Sequence, residues 1–192
     1  RPLLRCHLVA PATVPTNKPD PQFLIIVCHH KVSTYFGGHL MHQSTQKQKV
    51  RRNSRLQLME HRLSLLGHKA GPVLFQLPPN FQADADRLSA FLGMLPPERR
   101  YSFEFRHPSW YAPRIMRILA TENVSLCISD HHDAPAPWKR TADFVYVRGH
   151  GPGGRYRGHY TTSALKAWAH RIKSWKSQKC DVFVFFDNDQ KS

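Results

Sequence analysis

Five short apolar runs constrain this chain more than any other feature. They are "PVLFQL" at 72–77, "YSFEF" at 101–105, "VSLCIS" at 124–129, "DFVYV" at 143–147 and "DVFVFF" at 181–186. Each is short and rich in Val, Phe, Tyr and Ile, as buried strands are. Helical patterns lie between them. Asp84 suits an N-cap ahead of Leu88, Phe91, Leu92 and Leu95. Pro113 suits a first helical turn, with Ile115, Ile118 and Leu119 behind it. Thr162 or Ser163 can cap a helix whose stripe of Leu165, Trp168, Ile172 and Trp175 would pack on a sheet. Strands and helices in alternation, with near-continuous apolar strands, predict an α/β fold built on a parallel sheet. The linker "HHDAPAPWKRTA" at 131–142 shows no helical period.

Residues 1–68 lack this order. "QSTQKQKVRRNSR" carries no apolar period, and seven of the 13 histidines fall in this third. Low hydrophobicity and high charge predict an irregular N-terminal third, poorly packed over residues 1–55. Only "FLIIV" at 23–27 and a helix over Leu56–Leu66 look structural there. The net charge of +15 favours anionic partners, either a small phosphorylated ligand or nucleic acid. The four cysteines have no paired spacing, which argues against a disulfide framework and for a reducing, cytoplasmic setting. No apolar run approaches the length of a membrane-spanning helix. Oligomeric state is not legible.

Charged and amide side chains gather at the C-terminal end of every strand. The first run ends near Gln76, the second at Glu104, Arg106 and His107, and the third at Asp130. The fourth ends at Arg148 and His150, and the fifth at Asp187, Asn188 and Asp189. Ligands of parallel α/β folds bind at that end. Alternation along the strand puts Ser102, Glu104 and Arg106 on one face and Tyr101, Phe103 and Phe105 on the other. The aromatics would then meet the helices, and Glu104 would point inward. Two readings of Glu104 stay open: a buried ion pair with arginine that fixes the core, or a general acid/base held by arginine.

The loop "RGHGPGGRYRGHY" at 148–160 is rich in glycine and arginine. Gly151, Gly153 and Gly154 allow backbone amides to converge on an anion, and Arg148 and Arg155 add charge-assisted donors. No helix follows at once, so the loop matches neither a Walker nor a dinucleotide fingerprint. His107, His131, His132, Asp133, His150, Asp187 and Asp189 are metal-capable types without a diagnostic spacing, so a divalent metal is not the favoured reading and no cofactor is assigned.

Four stretches, "GPVLFQLPPNF", "FEFRHPSW", "FVYVRGHGPGGRYRG" and "VFVFFDND", occur in this order. Together they resemble the bacterial domain-of-unknown-function family 72, the YecE-like proteins, over about residues 62–189. The resemblance implies a partial TIM-barrel-like fold, with the five runs as strands four to eight of a (β/α)8 barrel and helices outside. It brings no reaction with it. Family members begin with a Thr-Ser-Gly-Trp run and carry a later Glu-Ile-Asn run, neither of which occurs in residues 1–61. The expected organisation is an atypical basic segment over 1–61, out of frame or poorly ordered, and an incomplete barrel domain over 62–192 with two open sheet edges. The expected catalytic residues are Glu104, His107, Asp130 and Asp187. The expected substrate-binding residues are Gln76, Arg106, Trp110, Arg148, His150, Gly151, Gly153, Gly154, Arg155, Tyr156, Asn188 and Asp189. A hydrolase or isomerase acting on an anionic substrate is the first reading. A nucleic-acid-binding protein, or a truncated and inactive family member, is the alternative.

Overall fold

A computed structural model describes residues 56–187 and the strand segments 6–9 and 24–28. Seven strands run in chain order across one sheet: β1 (Cys6–Val9), β2 (Leu24–Cys28), β3 (Ala70–Gln76), β4 (Tyr101–Glu104), β5 (Ser125–Ser129), β6 (Phe144–Gly149) and β7 (Asp181–Phe186). β1 pairs antiparallel with β2, and every later neighbour is parallel. β3 to β7 are the five apolar runs of the sequence, parallel and in order. Among the described residues four helices accompany them: α1 (56–64), α2 (Ala85–Leu92), α3 (Pro113–Thr121) and α4 (Thr162–Ser177).

Local chemistry accounts for the helix boundaries. Asp84 caps α2 by accepting from the Arg87 amide at 3.0 Å, as its position suggests. Pro113 opens α3. The cap of α4 is Thr161, one residue before the expected pair, and its hydroxyl accepts from the Ala164 amide at 3.2 Å. The 131–142 linker is not helical. Thr141 ties it to β5 instead, receiving the Leu126 amide and donating to the Val124 carbonyl, both at 2.7 Å.

Two strands extend the sheet beyond the five. β2 is the "FLIIV" run, and it covers the edge of β3 that the sequence left open. β1 is only four residues long, too short to stand out without its partner. The expectation of an irregular N-terminal third is therefore corrected over 6–9, while the strand at 24–28 falls on the apolar run that the sequence singled out. The rest of 1–55 lies outside the described residues.

The two faces of the sheet are chemically distinct. On the outside, Phe75, Phe103 and Phe105 pack with Leu88, Phe91, Ile115 and Leu119 of the helices and with Leu56, Met59 and Leu63 of α1. Trp168 and Trp175 of α4 cover Val145, Val147, Val182 and Val184. On the inside, Leu74, Cys127, Phe144 and Tyr146 form a second cluster with Phe183 and Phe185. The sheet curls around this inner cluster. Neighbouring strands lie ~4.8 Å apart, so β3 and β6 would be roughly 14 Å apart if flat. Yet Arg148 of β6 reaches Gln76 at the end of β3 at 3.2 Å. At the opposite end Arg100, ahead of β4, meets Asp181 of β7 at 2.7 Å. The result is a TIM-barrel-like half-barrel of six parallel strands, β2 to β7, with helices outside.

Thr141 supplies a test of how the helix-free connection is held. In Thr141→Val both hydrogen bonds vanish, leaving the Leu126 amide and the Val124 carbonyl without a partner. Stability should fall by about 1–3 kcal/mol, measured by urea unfolding as a lower midpoint at unchanged slope.

Candidate functional site

The concave face changes character toward the C-terminal strand ends. Below lie Cys127 and Tyr146; one alternation higher, Ser129 pairs in register with Arg148. Glu104 closes β4 on the same face and is fully buried. Its carboxylate receives two guanidinium groups: Arg148 Nη1 on Oε2 at 2.5 Å and Arg106 Nη2 on Oε1 at 2.7 Å. The Ser129 hydroxyl donates to Oε1 at 3.1 Å. Burial by itself would push the Glu104 carboxyl up. The charges of Arg148 and Arg106, with His150, outweigh it and hold the group below its usual range.

The arginines differ in how fully they are engaged. Arg148 donates to Glu104 and Gln76 through Nη1 and to Asp187 through Nη2. Arg106 concentrates its contacts on Nη2, which meets Glu104, Gln76 at 3.3 Å, the Tyr156 hydroxyl at 2.8 Å and His150 Nε2 at 3.2 Å. Its Nε is buried and meets no acceptor among the described residues. Both side chains are 4% exposed.

His150 is enclosed by carboxylates. Its Nδ1 lies 3.4 Å from Asp130, and its Nε2 lies 3.5 Å from Glu104 and 3.9 Å from Asp187. Tyr156 stands its ring edge-on to His150 at 4.7 Å. It does so from φ 63°, a left-handed conformation that costs an aromatic residue energy and marks a constrained position.

The glycine-rich loop is organised by an internal anion. Asp130 accepts the His150 amide at 2.6 Å and the Tyr160 hydroxyl, which in turn accepts the Gly151 amide at 2.7 Å. Burial opposes ionisation of Asp130, but these hydrogen bonds, with the nearby His150, hold its carboxyl below the ordinary value. Gly154 has φ 67°, and a Cβ there would sit 2.2 Å from the Asp130 carbonyl oxygen. Gly151 has φ 89°, and its Cβ would sit 2.3 Å from the Arg157 carbonyl oxygen. These two glycines let the loop fold tightly on itself and on the 130–132 turn. Gly153 (φ 83°) faces open space, and Arg155 is exposed.

The structure thus brings together Gln76, Glu104, Arg106, Asp130, Arg148, His150, Tyr156 and Asp187. It places two expected residues elsewhere. His107 caps the turn at Pro108–Tyr111, its Nδ1 accepting from the Ser109 amide at 3.2 Å. Trp110 is buried in the outer core, stacked on Phe105 at 4.8 Å with its indole N–H on the Phe81 carbonyl. Asn188 and Asp189 lie outside the described residues. Ser129 was not among the expected residues, and Tyr160 was expected only as a stacking surface for nucleic acid. Ser129 lies on the same inward face as Cys127, so strand alternation alone could have found it.

The family model described as "Protein of unknown function DUF72" matches residues 26–192. The match begins within β2, well before the four motifs. A DUF72 family protein from Thermotoga maritima is similar in structure, with a TM-score of 0.69 at 18% identity, over 88% of this chain and 68% of that one. A DUF72 family protein from Enterococcus faecalis gives 0.58 at 21% identity, over 70% of this chain and 60% of that one. The chain therefore spans about two thirds of the length of these neighbours. No curated protein matches the sequence.

The buried ion pairs make the site sensitive to truncation. Arg148→Ala strands Glu104 and Asp187 without their shared partner and should cost about 3–5 kcal/mol. Glu104 also sets a pH dependence. Its folded pKa lies below its unfolded one, so its contribution is intact above about pH 4.5 and lost as pH falls through the folded value. Chemical unfolding at stepped pH should show stability falling on acidification below that point. In Arg148→Ala the folded pKa of Glu104 moves up toward the unfolded one, so that fall should shrink or reverse.

Proposed function

The chain belongs to DUF72, a family of proteins of unknown function, and from that premise we propose that it binds a small anionic ligand at the C-terminal ends of its strands. Arg106 is the contact. The observation that carries the reading is its buried Nε–H, which meets no acceptor among the described residues. A carboxylate or phosphate oxygen of a ligand would complete it, and such charge-assisted bonds are strong in a buried setting. Arg148 acts differently. Held by Glu104, Gln76 and Asp187, it props up the site rather than clamping the ligand.

Hydrolase- or isomerase-like acid–base chemistry fits the surrounding groups. Glu104 is fully buried and held ionised by two guanidiniums, which makes it a weak base and a good anchor. Asp187 is 39% exposed and is the carboxylate of the network best placed to meet a ligand. His150 lies between Asp187 and Asp130, close to the Arg106 Nη2 where the anion would dock, and suits proton transfer there. Cys127 and Cys180 are unpaired and buried, consistent with the reducing, cytoplasmic setting we infer. Among the described residues no helix is long and apolar enough to cross a membrane.

A second reading rests on a separate surface. No Asp or Glu occurs between Asp143 and Asp181, and Arg155, Arg157, Lys166, Lys173, Lys176 and Lys179 in that span are all exposed. Such a face suits nucleic acid, whose binding would weaken steeply with salt.

Calorimetric titration of inorganic phosphate separates the two. Wild type should bind, and Arg106→Gln, verified as folded by circular dichroism, should lose about 1.5–3 kcal/mol of binding. Equal affinity in both proteins would overturn the role of Arg106. Salt-dependent capture of an oligonucleotide, undiminished in Arg106→Gln, would favour the second reading.

A further inference from the structure

We propose that His131, His132 and Asp133, in the turn that follows β5, form a binding site for a divalent transition-metal ion. One ring nitrogen from each histidine and one oxygen of Asp133 lie within 4.8 Å of one another. A first-row ion held at ~2.1 Å by each ligand needs its ligand atoms roughly 3–3.5 Å apart. Small side-chain rotations in an exposed turn close that difference.

The hydrogen bonds around the turn say more than the spacing does. His132 Nδ1 lies 3.2 Å from the Gly154 carbonyl oxygen, and its Nε2 lies 2.9 Å from Asp133 Oδ1. Both nitrogens face acceptors, and a neutral imidazole has one proton. The carbonyl and the carboxylate can both only accept, so the contacts fit either tautomer; with an ion bound, the proton would sit on Nδ1 against the Gly154 carbonyl and Nε2 would be the ligand atom. His131 Nδ1 accepts the Asp133 amide in a long contact of 3.4 Å and lies 3.8 Å from Asp133 Oδ2, so ligation would exchange that weak hydrogen bond for the ion. The two rings and one carboxylate thus stand side by side, and a cation among them would replace their mutual contacts with coordination. The Gly154 carbonyl then plays the outer role usual at metal sites, fixing the tautomer of a ligating histidine.

The turn is held in place from behind. The His131 amide donates to Ser129 Oγ at 3.2 Å, the His132 amide to the Gly154 carbonyl at 3.3 Å, and the Ala134 amide to the His131 carbonyl at 3.2 Å. The front is open: the side chains of His132 and Asp133 are 33% and 46% exposed. Three protein ligands on one side and solvent on the other leave coordination positions free for a substrate or water. Two imidazoles with one carboxylate suit zinc, iron, cobalt or nickel better than magnesium or calcium, which prefer all-oxygen sites. The His131 ring lies 5.5 Å from that of His150, so the ion would stand at the border of the rim cluster. The assignment uses none of the residues given a role in anion binding and stands without that reading.

The test is titration of chelator-treated, metal-free protein with Co²⁺, followed by its visible absorption, and with Zn²⁺ by calorimetry. Wild type should take up one ion per chain at a site distinct from weak histidine binding elsewhere, with a Co²⁺ spectrum showing nitrogen ligands. His132→Gln and Asp133→Asn alter exposed side chains and should leave the circular dichroism spectrum intact. Each should weaken that site by at least about tenfold. His170→Gln, a change on the exposed face of α4, should leave it untouched. Equal affinity and stoichiometry in wild type, His132→Gln and Asp133→Asn would overturn the proposal. So would a His132 ring whose nitrogen resonances show it doubly protonated at neutral pH and unmoved by Zn²⁺, because a second proton would then do the work assigned to the metal.

Discussion

The rim of this half-barrel is arranged around one fully buried carboxylate. Glu104 cannot remain ionised inside the sheet without compensation, and leaving such a charge unpaired would cost several kcal/mol. Its compensation arrives from strands far apart in the chain: Arg148 from β6, Ser129 from β5, and Arg106 two residues beyond the carboxylate itself. Each partner is then fixed by further groups, Arg148 by Gln76 and Asp187, and Arg106 by Tyr156. Satisfying one charge therefore orients the C-terminal ends of five strands. It also draws β3 and β6 toward the same point, so the polar network and the curl of the sheet support each other.

A second carboxylate does for the loops what Glu104 does for the strands. Asp130 supplies an internal acceptor where a glycine-rich loop could otherwise offer amides to phosphate. The amide of His150, and that of Gly151 through Tyr160, end on it. The close approach at Gly154 seals the two rim loops together. These loops are thus rigid supports with their own anion built in. In the proposed reading, ligand recognition is left to side chains that retain free donors, above all Arg106.

Much of the fold was legible because its signals are local. The apolar runs mark β3 to β7, Asp84 and Pro113 mark helix starts, and alternation in "YSFEFR" turns Glu104 inward and Phe103 outward. What escaped is what depends on partners. β1 is four residues long and acquires meaning only by pairing with β2. His107 and Trp110 sit beside the site in sequence, but a 3-10 turn at Pro108–Tyr111 directs the indole into the outer core and leaves His107 to cap the turn. Strand-end position was a sound guide for residues on or just past a strand. It failed once the chain had turned. The engagement of the loop amides by Asp130 was also hidden, because sequence shows which amides are free to converge and not what already fills them.

Charge balance separates the interior of the site from the surface of the molecule. The chain as a whole carries +15. At the rim, two guanidiniums face the carboxylates of Glu104, Asp130 and Asp187. A mobile anion is therefore attracted over long range by exposed lysines and arginines, but at the site it finds most positive charge already neutralised. Long-range attraction raises encounter rates and is screened by salt, whereas recognition in a buried pocket depends on individual donors. The excess surface charge thus carries little information about what the site selects. Under the two proposals, selection falls to the Nε–H of Arg106, which would offer an anion a hydrogen bond of fixed direction, and to the histidine-rich turn beside it, which would offer a cation imidazole ligands.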